Sequence, residues 1–194
     1  MANINSIHSV GDSLVQFLRD TYPEPLRSDH VCQFRLLSSG EYGDIEDIPT
    51  TLSVYLYRIV IDEHTRNMPR INRPNETPLP LSVSLYFLIT VWSDSALTEQ
   101  TIAAWAMSQL NQHPILDQST LSTAGGWEPQ DQINIVPIEL SNEDLMRIWD
   151  ALTPSYRLSL PYVARVVRID PDEVEEHEPV VASQFQYGDL VDGS

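Results

Sequence analysis

Lysine is absent from this sequence. All 11 basic residues are arginines, set against 28 Asp and Glu, for a formal net charge of −17. Proteins hold nucleic acid largely by neutralising phosphates with cations, so this balance argues against a nucleic-acid partner. It equally disfavours anionic membranes. Cysteine is nearly absent: Cys32 stands alone and has no internal partner for a disulfide, which fits a reducing compartment. Long apolar runs are missing too, the stretches reaching about ten residues before a Ser, Tyr or Arg breaks them, too short to span a bilayer. The first twenty residues have neither the basic start nor the continuous apolar centre of a signal peptide. Together these absences describe a soluble, cytoplasmic chain without membrane insertion. At 194 residues it suits one domain, able to bury roughly 70% of the surface it exposes when unfolded.

Catalytic signatures are equally scarce. No G-x-S-x-G nucleophile turn occurs, and Gly125-Gly126 precedes Trp127 in a loop rather than joining a strand to a helix as phosphate-binding glycines do. The histidines His8, His30, His64, His113 and His177 lack the paired spacing of a zinc site. Asp62, Glu63 and His64 are the one cluster that suggests a small metal-dependent hydrolase, but a strand end entering a loop commonly carries solvated charges. Glu175, Glu176, His177 and Glu178 read as a solvated linker. Cys32 beside His30 reads as strand filler. Tyr55, Tyr57, Tyr86 and Trp92 offer an aromatic platform for a base or sugar, although such cross-strand aromatics more often pack under a helix. No residue is assigned a catalytic, cofactor-binding or metal-binding role, and the chain is read as a non-enzyme.

What is present is strong patterning. Ile4, Ile7, Val10, Leu14, Val15, Phe17 and Leu18 recur at helical spacing over residues 4–20, closed by Pro23 and Pro25, with Gly11 as an internal weak point. Residues 31–37 read as a short strand, followed by a polar, turn-rich connection. TLSVYLYRIVIDE (51–63) then echoes in LSVSLYFLITVWS (81–93), with Leu52/Leu81, Ser53/Ser82, Val54/Val83, Leu56/Leu85 and Tyr57/Tyr86 identical. Alternation and β-branched content make both of them strands, at 51–61 and 81–92. One face of the first carries Leu52, Val54, Leu56 and Val60, interrupted by Arg58; one face of the second carries Leu81, Val83, Leu85, Phe87, Ile89 and Val91. Between the two runs an arm with Pro69, Pro74, Pro78 and Pro80 carries Arg66, Asn67, Arg70 and Arg73, a basic patch suited to carboxylates of a protein partner.

A second helix is expected over 98–111 through Ile102, Ala103, Ala106, Met107 and Leu110. Residues 133–140 alternate as a strand, with Pro137 marking an edge or bulge. Ser141 caps a third helix, with Asp144 in the capping-box position and Leu145, Ile148, Trp149 and Leu152 as its apolar stripe. Residues 156–169 form a further strand. An acidic linker from Asp170 leads to a final docking strand with Val180, Val181, Phe185 and Tyr187; from Asp170 onward there are eight acids and no arginine. The order is irregular rather than βαβ. It predicts a mixed α/β (α+β) fold, mainly an antiparallel sheet packed with about three helices, in a 1–169 domain followed by the 170–194 segment.

Three stretches in this order resemble the tail-terminator, or cap, proteins of extracellular contractile injection systems, the phage-tail-like particles of the antifeeding-prophage type. The matching residues begin with Leu56, Tyr57 and Arg58, then Arg66, Asn67 and Pro69. Leu85, Tyr86, Phe87 and Leu88 follow, then His113, Pro114, Ile115 and Leu116. The third block is Leu140, Ser141, Glu143, Leu145, Ile148 and Trp149, with Tyr156, Arg157, Ser159 and Tyr162. Phe87 stands where the family pattern has a histidine or tyrosine. The resemblance covers about residues 1–170. It implies a tail-terminator-like fold and a non-enzymatic role without cofactor: a homo-oligomeric ring, expected to be a hexamer, that ends the inner tube and joins it to the contractile sheath at the end distal to the baseplate. Assembly would take place in the cytoplasm. A terminator or connector of a true phage tail is the alternative within the same class. Arg66, Asn67, Arg70, Arg73, Val180, Val181, Phe185 and Tyr187 are the candidate partner contacts.

Overall fold

The computed structural model describes residues 2–44, 49–62, 80–152 and 154–170. Six strands form one sheet: β1 (Gln33–Leu37), β2 (Thr51–Ile61), β3 (Leu81–Trp92), β4 (Ile115–Leu116), β5 (Ile133–Pro137) and β6 (Ser159–Ile169), in the spatial order β1-β2-β3-β6-β5-β4. Every neighbouring pair is antiparallel except β1 and β2, which run parallel. Among the described residues four α-helices accompany them: α1 (Ser6–Asp20), α2 (Leu26–Asp29), α3 (Ala96–Gln112) and α4 (Asn142–Asp150). The mixed, mainly antiparallel α/β fold matches the expectation from periodicity, with the single turn α2 added to the three helices foreseen.

The echoing segments pair directly. Because β2 and β3 are antiparallel, the two copies lie end to end rather than side by side: Leu52 faces Val91, while Ile59 faces Leu85. They meet at their last residues, where the Tyr57 and Tyr86 rings make an edge contact at 6.2 Å. Leu56 faces Phe87 but Arg58 faces Tyr86, so Tyr57 is an extra residue in β2. Such a bulge reverses the in/out phase of everything beyond it. Val60, expected beside Leu52, Val54 and Leu56, therefore falls on the opposite face, and Ile59 and Ile61 take the near one. Arg58 does not interrupt an apolar face; its guanidinium lies 5.4 Å from the centre of the Tyr86 ring.

The sheet is covered on both faces. On the first, Val10, Leu14, Val15 and Leu18 of α1 and Ile102, Ala103, Ala106 and Leu110 of α3 pack on Leu52 and Val54 of β2, the odd-numbered residues 83–91 of β3, and Tyr162, Ala164 and Val167 of β6. Met107, expected in the α3 stripe, is 48% exposed, because it lies on the flank of the face that Ile102, Ala103, Ala106 and Leu110 bury. At Gly11 the helix comes so close to β1 that a Cβ would lie 2.8 Å from a Leu36 methyl. On the second face, Leu37, Tyr42, Leu88, Trp92 and Trp149 form a smaller cluster, roofed by α4 through Leu145 and Ile148. Ser141 caps α4, accepting the Asp144 N–H at 3.1 Å and donating to its carboxylate at 2.7 Å. Pro137 ends β5 beyond the reach of the two-residue β4, where no partner strand requires its missing N–H.

A polar seam fixes α1 to the loop before β5. Ser9 donates to the Ser122 carbonyl at 2.9 Å, Ser13 accepts the Ser122 N–H at 2.7 Å, and the Trp127 indole donates to Ser9 at 2.9 Å. Gly125 is required there, since a Cβ would lie 2.3 Å from the Trp127 ring nitrogen.

Candidate assembly surface

The partner contacts expected from sequence, Arg66, Asn67, Arg70, Arg73, Val180, Val181, Phe185 and Tyr187, all lie outside the described residues. So do Glu63 and His64 of the suggested metal cluster. Of that cluster the structure places Asp62, whose N–H donates to the Ser82 carbonyl at 2.9 Å and continues the β2–β3 ladder. Among the described residues no three His, Cys, Asp or Glu side chains converge to hold a metal ion. His30 is engaged by the Thr98 hydroxyl at 3.0 Å. The Cys32 thiol donates to the Gln33 carbonyl at 3.2 Å, and burial pushes its pKa up to about 12, so it is a thiol rather than a nucleophilic thiolate.

The aromatic platform resolves into packing. Trp92 is buried under α4, 5.9 Å from Trp149, and its indole donates to Ser53 at 2.8 Å. Tyr55 makes an edge contact with buried Tyr42 at 5.1 Å. Tyr57 is half-buried, and burial raises its phenol above the ordinary range. These rings serve the second face of the sheet, packed on one another and on their neighbours.

The sheet ends in β4 on one side and in β1 on the other, and the β1 end is the longer margin. β1 lies at the end of the sheet and, among the described residues, is paired on one side alone. Gln33 donates to the Thr50 carbonyl, so residues 33, 35 and 37 turn their backbone groups to β2, while those of Phe34 and Leu36 point outward. The Arg19 guanidinium takes the Phe34 carbonyl at 2.9 Å. Arg27 donates to the Tyr22 carbonyl at 2.9 Å, and Arg35 pairs loosely with Glu41 at 3.8 Å. These three arginines, with Asp20 at the rim, border a groove of about 560 Å³ at the start of β1. At its other end an apolar hollow of about 450 Å³ opens between α1 and the sheet, lined by Ile7, Gly11, Leu36, Leu56 and Phe87. The sequence reading missed this margin: its arginines come from a helix, a single turn and a strand, and nothing local joins them.

The sequence matches the model of the Pvc16 N-terminal domain family over residues 9–183. The chain belongs to this family. Two solved structures share the fold of this Pvc16-type chain. One is the sheath/tube terminator of the PVC extracellular contractile injection system in its extended state, with TM-score 0.55, 18% identity, and coverage of 97% of this chain and 65% of the other. The second is the tube-terminating cap of the anti-feeding prophage, with TM-score 0.54, 20% identity, and coverage of 92% and 60%. The chain thus spans less than two thirds of the length of either. None of the curated proteins matches it. No helix among the described residues is long and apolar enough to cross a membrane.

Proposed function

We propose that this chain is the terminator, or cap, subunit of a contractile injection particle. It forms a closed homo-oligomeric ring, a hexamer, on the end of the inner tube distal to the baseplate, and joins tube to sheath without catalysing a reaction. The observation that supports this is the family match across residues 9–183, joined to a fold shared with two solved terminators over nearly the whole chain. A ring needs a heterologous interface that closes on itself, and tube and sheath each need a further complementary face. The open β1 margin is suited to one of these, because strand addition supplies main-chain hydrogen bonds with little demand on sequence.

Within this reading, residues 1–169 are the ring-forming domain and 170–194 reach outward, with Val180, Val181, Phe185 and Tyr187 docking on a neighbour. Arg66, Asn67, Arg70 and Arg73 meet acidic surface on the adjacent subunit. Assembly takes place in the cytoplasm. Negative-stain imaging of the purified protein, alone and with the tube subunit of its own system, tests the proposal. Six-fold rings that stop tube growth are expected. Tubes that elongate equally with and without the protein would overturn it. Charge reversal at Arg66 and Arg70 is expected to shift the ring toward monomer in sedimentation.

A further inference from the structure

Positive charge is scarce in this molecule, and part of it is gathered at one place. Three of the 11 arginines, Arg19, Arg27 and Arg35, border the groove at the start of β1. Arg19 and Arg27 are held by backbone carbonyls, and neither forms an ion pair among the described residues. Arg35 is only loosely matched by Glu41. From this groove the edge of β1 runs roughly 16 Å, with Arg19 on the Phe34 carbonyl and the backbone groups of Leu36 pointing outward, to the apolar hollow lined by Ile7, Leu36, Leu56 and Phe87. Read along β1, the margin is basic, then open backbone, then apolar.

One stretch of this sequence has the complementary order. Asp172, Glu173, Glu175, Glu176 and Glu178 come first, then Pro179, then VVASQFQY (180–187) with strand-like composition. We infer that residues 171–187 of a second copy of the chain dock along β1, running parallel to it, with their acids in the Arg19/Arg27/Arg35 groove and their apolar half toward the hollow. Pro179 falls at the entry to the added strand, where a missing N–H is tolerated. This inference rests on the ring reading above and gives it a receptor surface and a donor segment.

Chain length points to a second copy. β6 ends at Ile169, opposite Leu81, whereas β1 begins opposite Thr51, which faces Trp92 at the other end of β3. Eleven residues along the strand and three strand spacings across the sheet separate the two points by roughly 38 Å. Residues 171–178 extend at most about 28 Å, short of that span, which favours the groove of a neighbour over that of the same chain.

The test uses two single-cysteine proteins, Gln33→Cys and Glu176→Cys, each in a Cys32→Ala background, mixed in the presence of tube subunits and mildly oxidised. Mass photometry of the same samples reports ring formation independently. The expected result is rings with a disulfide-linked dimer several-fold more abundant in the mixture than in either protein alone. Changing Asp172, Glu173 and Glu175 to Asn, Gln and Gln is expected to remove that excess. Rings without the mixed disulfide overturn this inference and leave the ring reading standing. An excess that survives neutralisation of the acids also overturns it. Monomers throughout overturn both readings.

Discussion

The two faces of the sheet are built from different materials. The first is broad and mixed: α1 and α3 press Val, Leu, Ile and Ala onto the sheet, with Tyr22, Phe34, Phe87 and Tyr162 among them, and its strength is the area removed from water. The second is narrow and aromatic, and hydrogen bonds hold its few large rings in place. Trp92 donates to Ser53, Trp149 donates to Ser159 at 3.2 Å, Ser159 meets Thr90 at 3.1 Å, and Arg157 lies 5.9 Å from the centre of the Trp92 ring. Volume governs the first face and polar geometry the second. A core of the first kind tolerates a shape change by sliding, while one of the second kind fixes α4 at one angle.

This contrast can be broken from either side. The largest loss is expected from Phe87→Ala, which opens a cavity in the middle of the first face; a decrease of about 3–5 kcal/mol in unfolding free energy by urea titration is the expected outcome. Next comes Ser53→Ala on the second face, which removes no apolar contact but strands the buried Trp92 N–H. It is expected to cost about 1–3 kcal/mol, and Ser53→Thr to recover part of that if the hydroxyl is what matters. Ser141→Ala removes the cap of α4 and is expected to cost about 1 kcal/mol, with hydrogen exchange rising first in the opening turn of that helix.

The smallest effects concern pH. Burial raises the phenol of Tyr42, in the second face, well above its ordinary value. Its contribution is therefore intact below the unfolded pKa of about 10 and falls as pH rises beyond it, because the unfolded chain ionises first. Tyr42→Phe is expected to flatten the decline of stability above pH about 10. Glu41 has the opposite sign. Hydrogen bonds from the Ser38 N–H and hydroxyl, each 2.8 Å, and nearby Arg35 lower its pKa. Its contribution is present above the unfolded value and is lost as pH falls through the lowered one, so Glu41→Gln is expected to change stability at neutral pH and leave it unchanged in acid.

The elements themselves were readable in the residues. The stripes of α1 and α4, the Ser141 cap and the alternation of β2 and β3 all follow from period and composition, since each is a local property. What escaped was non-local. Tyr57 differs in no way from its neighbours as a letter, yet the pairing with β3 makes it the extra residue and moves Val60 to the other face. Ser9 and Ser13 look like polar blemishes on an amphipathic helix, and only the approach of Ser122 and Trp127 makes them a seam. The parallel placement of β1 depends on contacts made across the sheet. The candidate surface escaped for the same reason: Arg66, Arg70 and Arg73 attract notice because they are adjacent in the chain, whereas Arg19, Arg27 and Arg35 become neighbours only after folding.

The bulge at Tyr57 has a consequence for how this strand can vary. β2 carries two phases in one stretch of chain, the second offset by a single residue from the first. Losing one residue at that point is therefore a frameshift in three dimensions: Arg58 and Val60 would turn to the first face of the sheet while Ile59 and Ile61 left it. A relative one residue shorter here must have either restored the phase elsewhere in the strand or rewritten every side chain up to Ile61.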